Sequence, residues 1–273
     1  MTDQEPTPAP RLAPAFRNVS RRARRVWQRN FDVFRATWLT SFIPPLLEPV
    51  FYVLAFGFGL GSLVRTVPYK GGTIDYLPFM APGVIAVAAM FWSYFETTFG
   101  SFVRMYYQRT FDAIISTPLL VEDVIAGEWL WGATKSVIAG TIMLLMLSLF
   151  GLVAWPSGIL VVPLVFACGC VFSALGLVAT ALVPKIDAFN LPMFVLIFPM
   201  FLFSGTFFPL DILPPWALAV AMTLPLTHVC SLIRGACLGV LPPFWLGSVG
   251  YLAVVTPVTV LLALRLMLRR LVK

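Results

Sequence analysis

The sequence predicts an all-α polytopic membrane protein with six transmembrane helices, an N-terminal amphipathic interfacial helix, and an external re-entrant segment between spans five and six. Three observations carry this. Hydrophobic residues make up 59% of the 273 and charged residues 11%, against about 45–50% and about 25% in a soluble domain. Mean hydropathy is +0.90. After a polar segment that reaches Ala36, the apolar residues fall into six runs of about the 20 needed to cross a ~30 Å hydrocarbon core. This excludes a soluble enzyme, a disordered regulator and a disulfide scaffold, and leaves no stretch for a soluble catalytic domain.

Residues 1–14 carry Pro6, Pro8, Pro10 and Pro14 among few apolar groups and read as a disordered cytoplasmic tail. From 15 to 36 the pattern changes. Phe16, Val19, Ala23, Val26, Trp27, Asn30, Phe31 and Phe34 recur at steps of three and four, with Arg17, Arg21, Arg22, Arg24, Arg25 and Arg29 between them. That spacing gives a basic amphipathic helix suited to lie on anionic headgroups. The basic region and the first apolar run are both too long for a cleavable signal peptide.

The remainder, 37–273, holds the six spans, read as Trp38–Val64, Phe79–Val103, Trp129–Val153, Ile159–Val183, Leu191–Phe208 and Phe244–Leu264. Prolines 44, 45 and 49 interrupt the first, tolerable where neighbouring helices satisfy the freed backbone. Between the first two spans lies a polar loop with Arg65, Lys70, Gly71, Gly72 and Asp75. Between the second and third lies the most polar internal stretch, residues 104–129, read as a short helix over Thr110–Thr117, a turn at Thr117-Pro118, and the start of the third span. Between the fifth and sixth, Asp211, Pro214 and Pro215 break the chain. Trp216–Leu226 is apolar but too short to cross. It is expected to dip in from outside, with Trp216 at the interface and Pro225 marking its reversal before Arg234; His228 follows the turn.

Charge sets the orientation. With the N-terminus inside, fifteen of the 19 Lys and Arg residues lie in tails and loops on that side, and only Arg65, Lys70 and Arg234 lie outside. This bias places both ends in the cytoplasm. Basic charge here is topogenic, so no nucleic-acid partner is expected. Cys168 and Cys170 read as small packed hydrophobes, and the spacing of Cys230 and Cys237 assigns no disulfide.

Little chemistry is visible. GEWLWGATKS, residues 127–136, has two glycines at phosphate-loop spacing, but Ala133-Thr134 separate Gly132 from Lys135 and no strand precedes it. The chain therefore has no nucleotide site of its own, and no enzyme activity is expected. No metal cluster appears, and His228 is the sole histidine. Glu48 and Glu96 stand out because ionisable groups within spans are costly and line a cavity or find a partner. They would be the proton sites of a secondary transporter, the alternative reading.

Four segments decide between these. EPVFYVLAFGFGLG (48–61), FDAIISTPLLVEDVIAGE (111–128), FLFSGTFFPLDILPPW (201–216) and LPLTHVCSLIRG (224–235) occur in order. Together they resemble the permease subunit of ABC-2 class ATP-binding-cassette exporters, over nearly the whole chain. GEWLWGATKS is closer to the nodulation-factor exporter permeases than to polysaccharide-export members, which more often have lysine at the position of Glu128. The resemblance implies a homodimer of six-span permeases in the inner (cytoplasmic) membrane with two copies of an ATPase subunit, which binds the ATP and Mg. It implies an amphipathic substrate: a lipid-linked oligosaccharide, a glycolipid or a hydrophobic drug. It also implies that the segment with Arg109, Phe111, Asp112, Ile114, Ile115, Thr117 and Pro118 is a coupling helix. On that reading Phe111, Ile114 and Ile115 form an apolar edge that docks into a groove of the ATPase, with Asp112 favourable in the first turn and Thr117-Pro118 as the stop.

Overall fold

The computed structural model describes residues 20–69, 71–242 and 244–272. The proline-rich tail and the first residues assigned to the amphipathic helix lie outside them, as does Lys70. Among the described residues six helices are long and apolar enough to cross a membrane: Ile43–Leu63, Tyr76–Tyr107, Val121–Leu149, Ser157–Leu182, Ile186–Phe203 and Trp245–Leu271. The amphipathic helix α1 (Ala23–Ala36) precedes them. A two-stranded antiparallel hairpin, β1 (Thr66–Tyr69) and β2 (Gly72–Asp75), joins the first two spans where the sequence reads as a loop. A short helix α2 (Thr110–Ile115) lies between the second and third. Helices α3 (Pro215–Met222) and α4 (Pro225–Leu238) meet at 85° between the fifth and sixth.

The second span is the axis of the bundle. Every residue from Phe79 to Met90 is buried. In lipid there is no hydrophobic drive between helices, so close backbone approach and interhelical hydrogen bonds hold them. Both are present. A Cβ on Gly169 of the fourth span would stand 2.0 Å from Ser136 Oγ of the third, and that hydroxyl donates to Val165 O at 3.0 Å. Thr180 Oγ1 donates to Thr97 O of the second span at 2.7 Å. The sixth span closes the core with Leu252, Val260, Ala263, Leu264 and Met267. The first and fifth spans add little to this core, Val53, Phe189, Ile197 and Met200, and leave many apolar side chains exposed, among them Leu47, Phe51, Phe194 and Val195.

The span ends sort into two groups. At one end Arg270 reaches Val183 O (2.7 Å) and Tyr106 Oη (3.2 Å), so the sixth, fourth and second spans finish together beside α2. At the other end Ala154 N donates to Cys237 O (2.6 Å), bringing the turn after the third span to the end of α4. The four cysteines are buried and form no disulfide.

Several boundaries differ from the sequence reading: the third span opens at Val121 and not Trp129, the sixth runs on to Leu271, and two further differences bear on the segments between spans. α2 ends at Ile115, not Thr117: Ser116 and Thr117 N–H groups turn back to Asp112 O and Ile114 O ahead of Pro118. The external segment does not return before Arg234. Its reversal is at Thr223–Leu224, Pro225 opens α4 where a missing N–H costs nothing, and the returning arm runs to Leu238.

Candidate functional site

The site is a buried knot of charge where α1, the second span and the third span meet. Two sequence spacings build it. Glu96, Gly100 and Arg104 follow at steps of four, and Glu128, Trp131 and Lys135 at steps of three and four, so each set shares a helix face. The second span is wound wider over Glu96–Gly100 and Val103–Tyr107, with π-type turns on both sides of Phe102; such turns recur at functional sites. Gly100 leaves the room: a Cβ there would stand 3.0 Å from Glu96 Oε1 and 3.3 Å from Arg104 Nη2.

Arg104 bridges both carboxylates. Its Nη1 lies 2.8 Å from Glu96 Oε1, and its Nη2 lies 2.6 Å from Glu128 Oε2. Glu128 is 1% exposed and also accepts from Ser101 Oγ (2.6 Å), Arg104 Nε (3.0 Å) and Asn30 Nδ2 (2.8 Å). Glu96 also accepts from Trp131 Nε1 (2.9 Å) and faces Lys135 Nζ at 3.6 Å. The lysine ammonium stands 4.6 Å from the Phe34 ring centroid, a favourable cation–π distance. Two acids and two bases balance, which is how charge is tolerated away from water. A cavity of about 380 Å³ opens beside the knot, lined in part by Arg29, Asn30, Glu96, Arg104 and Lys135.

α1 is the strap over this knot. Its buried face, Val26, Asn30 and Phe34, packs on the third span, while Arg24 and Arg25 stay exposed. Gly127 permits the approach: a Cβ there would stand 2.5 Å from Val26 Cβ. Trp27 donates to Thr134 Oγ1 at 2.9 Å, and Phe34 packs edge-on against Trp131. The same helix reaches the loop that carries α2. Arg22 donates to Pro118 O, Arg29 Nη2 to Thr110 Oγ1 (3.4 Å), and Ser20 N to Asp123 Oδ1 (2.7 Å). Burial lowers the Arg29 guanidinium below its ordinary pKa, and the Glu128 charge opposes that shift.

The residues expected to form a coupling helix divide. Phe111 is 0% exposed, so it anchors α2 to the chain's own core and offers no edge to a partner. Ile114 and Ile115 are half-buried against the same core. Of the apolar edge expected from the periodicity, Phe111 is covered by the chain itself and Ile114 and Ile115 are covered in part. The exposed residues are Arg109, Asp112, Ala113, Ser116, Thr117 and Pro118. Arg109 has φ +47°, a left-handed conformation that turns the chain sharply into α2.

Glu48 and Glu96 are not joined to each other by any hydrogen bond or ion pair among the described residues. Glu48 accepts from Trp92 Nε1 at 3.2 Å and borders an open cavity of about 620 Å³ formed by the first span. His228 has both ring nitrogens engaged, Nε2 on Met222 O (2.9 Å) and Nδ1 on Ser248 Oγ (3.1 Å), and stacks on Tyr251. Trp216 is 72% exposed, Asp211 is exposed, and Pro214-Pro215 lead into α3. Arg234, expected in an external loop, is instead buried inside α4. Arg104, Glu128, Lys135 and Asn30 were not singled out from the sequence. Their signal was there in the spacing of charge along two adjoining helix faces. Among the described residues no cluster of His, Cys, Asp and Glu could hold a metal.

Comparison with known proteins adds to this geometry. The family model described as ABC-2 type transporter matches residues 22–238, from the residue before α1 to the end of α4. Nodulation protein J of Sinorhizobium fredii is 36% identical over 78% of this chain and 80% of its own length. Nodulation protein J of Rhizobium leguminosarum bv. viciae is 37% identical over 78% and 81%. The inner membrane transport permease YadH of Escherichia coli is 24% identical over 79% and 82%. With most of its length matched and its helices arranged as described, the chain belongs to the ABC-2 type transporter family of membrane transport subunits.

Proposed function

We propose that the chain is the membrane-spanning permease of an ATP-binding-cassette exporter. It moves an amphipathic substrate (a lipid-linked oligosaccharide, a glycolipid or a hydrophobic drug) out of the cytoplasm by alternating access. The energy comes from a separate ATPase subunit in two copies. The permease sits in the inner membrane with both ends cytoplasmic, as the bias of fifteen inner Lys and Arg residues against Arg65 and Lys70 supports.

One observation carries the mechanism: α2 and the turn after it are bound to α1 and the residue before it, and α1 is bound to the charge knot toward the α2 ends of two spans. A push on the exposed side of α2, the side with Asp112, Ala113 and Ser116, passes through hydrogen bonds into Glu128 and Arg104. No flexible loop intervenes. When ATP closes the ATPase pair, the two coupling helices approach, the knots move with them, and the pathway reopens outward. The permease works as a homodimer. A carboxylate facing lipid is costly, and a second copy seated on the first span would cover Glu48 and the exposed apolar side chains around it.

The test is co-purification with an ATPase encoded alongside, followed by ATP hydrolysis in proteoliposomes. The expected result is a stable complex whose hydrolysis falls when Asp112→Lys is introduced while the permease stays folded. Export that follows ΔpH and needs no ATPase would overturn the reading in favour of Glu48 and Glu96 as proton sites.

A further inference from the structure

At the opposite end of the second span, seventeen residues from Glu96 and so about 26 Å along the helix, a second buried cation has no counter-charge. Arg234 of α4 is 6% exposed. Its Nε donates to Phe79 O (2.8 Å), and its Nη2 donates to Gly205 O (2.6 Å), with Thr206 O (3.4 Å) and Cys230 Sγ (3.5 Å) near the same nitrogen. Its guanidinium carbon stands 4.0 Å from the Phe79 ring centroid. The plane is therefore clamped, and two of its three nitrogens are committed. Nη1 has no acceptor among the described residues, and none of their carboxylates lies within 4.0 Å of any of its nitrogens.

Tying three carbonyls together needs donors but no charge, and burying an unpaired charge is expensive. Arg234 lines a cavity of about 320 Å³ beneath the α3–α4 bend. Ser231, one turn earlier on α4, lines it too, and its hydroxyl makes no hydrogen bond to the described residues. The apolar part of the lining is Leu210, Leu218, Met222 and Phe244; the exposed Asp211 lines it as well, and so do His228 and Ser248, which are bonded to each other. The space equals about ten waters, more than a bare oxyanion fills.

We infer that this cavity binds the phosphate or similar oxyanion headgroup of an amphiphile. Nη1 and the Ser231 hydroxyl donate to the oxyanion, and the apolar wall takes the first atoms of the attached chain. The clamped guanidinium loses little freedom on binding, which favours affinity. The inference rests on this pocket alone and holds whether or not the chain exports.

The experiment uses the purified full chain in a neutral detergent and three probes: dioctanoyl phosphatidic acid, dioctanoyl glycerol and inorganic phosphate. Phosphatidic acid should bind at least tenfold more tightly than dioctanoyl glycerol, the scale of one charge-assisted hydrogen bond. Inorganic phosphate binding as tightly as phosphatidic acid would still support the oxyanion site but make a free ion its occupant. Because Arg234→Gln removes three structural contacts and can unfold the chain, Ser231→Asp carries the test. It leaves the arginine's contacts intact and offers Nη1 a tethered carboxylate. It should lower phosphatidic acid affinity at least tenfold and raise the melting temperature. Equal binding of dioctanoyl glycerol, or undiminished phosphatidic acid affinity in Ser231→Asp, would overturn the assignment.

Discussion

Replacing Glu128 by glutamine probes the charge knot most directly. The carboxylate accepts four hydrogen bonds, one at Oε1 from Asn30 and three at Oε2 from Ser101 and Arg104. A glutamine presents one acceptor and one NH2 group, so whichever way it turns, a donor meets a donor. The larger effect is on Arg104, which loses its closer counter-charge and keeps only Glu96. Breaking a buried pair by removing one partner costs about 3–5 kcal/mol. At about 2–4 °C per kcal/mol for a chain of this size, that is a fall of about 6–20 °C in melting temperature. The assay is thermal unfolding in detergent at fixed scan rate for Glu128→Gln, Arg104→Met and the double variant. Arg104→Met alone strands Glu128 as a buried charge and should be worse than Glu128→Gln. The double variant removes one acid and one base and leaves Glu96 facing Lys135, so it should lie closer to wild type than Arg104→Met does. Losses that simply add in the double variant would refute the coupling of these charges.

Three other outcomes are expected. Gly127→Val should drive Val26 off the third span, costing about 1–3 kcal/mol as overpacking does, and limited proteolysis should then cut at the arginines of α1. Phe111→Ala should destabilise the permease by about 3–5 kcal/mol, as loss of a buried aromatic does; Asp112→Lys should leave the stability within ~0.5 kcal/mol of wild type yet weaken ATPase recovery, and equal stability of the two variants would contradict the burial of Phe111. Single cysteines at Thr73 and Asp211 should react with an impermeant maleimide in intact cells, against a low background because the four native cysteines are buried; protection of both until lysis would reverse the topology.

The six spans were legible because their signal is one-dimensional: an apolar run either reaches the length of the hydrocarbon core or does not. Glu96 was visible as an outlier for the same reason. Its spacing of eight from Arg104 on the same span is legible too, but Lys135 and Glu128 join the pair only once two helices are laid side by side. The hairpin before the second span was missed although Gly71-Gly72 between Val67 and Ile74 is a turn signal; the surrounding charge made it read as a loop. Phe111 shows a different limit. A helical pattern reveals which face of α2 is apolar, but not whether a partner or the chain itself covers it. Arg234 reads as a loop charge because it follows an apolar segment too short to cross and precedes the sixth span; its place inside α4 shows only when that helix is folded back against the second span.

The balance of the knot bears on what can drive it. A membrane potential does work of about 2.3 kcal/mol per elementary charge per 100 mV. Glu96, Glu128, Arg104 and Lys135 carry two negative and two positive charges held within 4 Å contacts. Moved as a body, the set has no net charge for voltage to act on. Displacing it along the membrane normal is therefore electrically silent, and the resting potential neither helps nor hinders. On the mechanism proposed above the stroke is delivered mechanically through α1 and α2, and the displacement of the knot should run at the same speed in energised and de-energised vesicles.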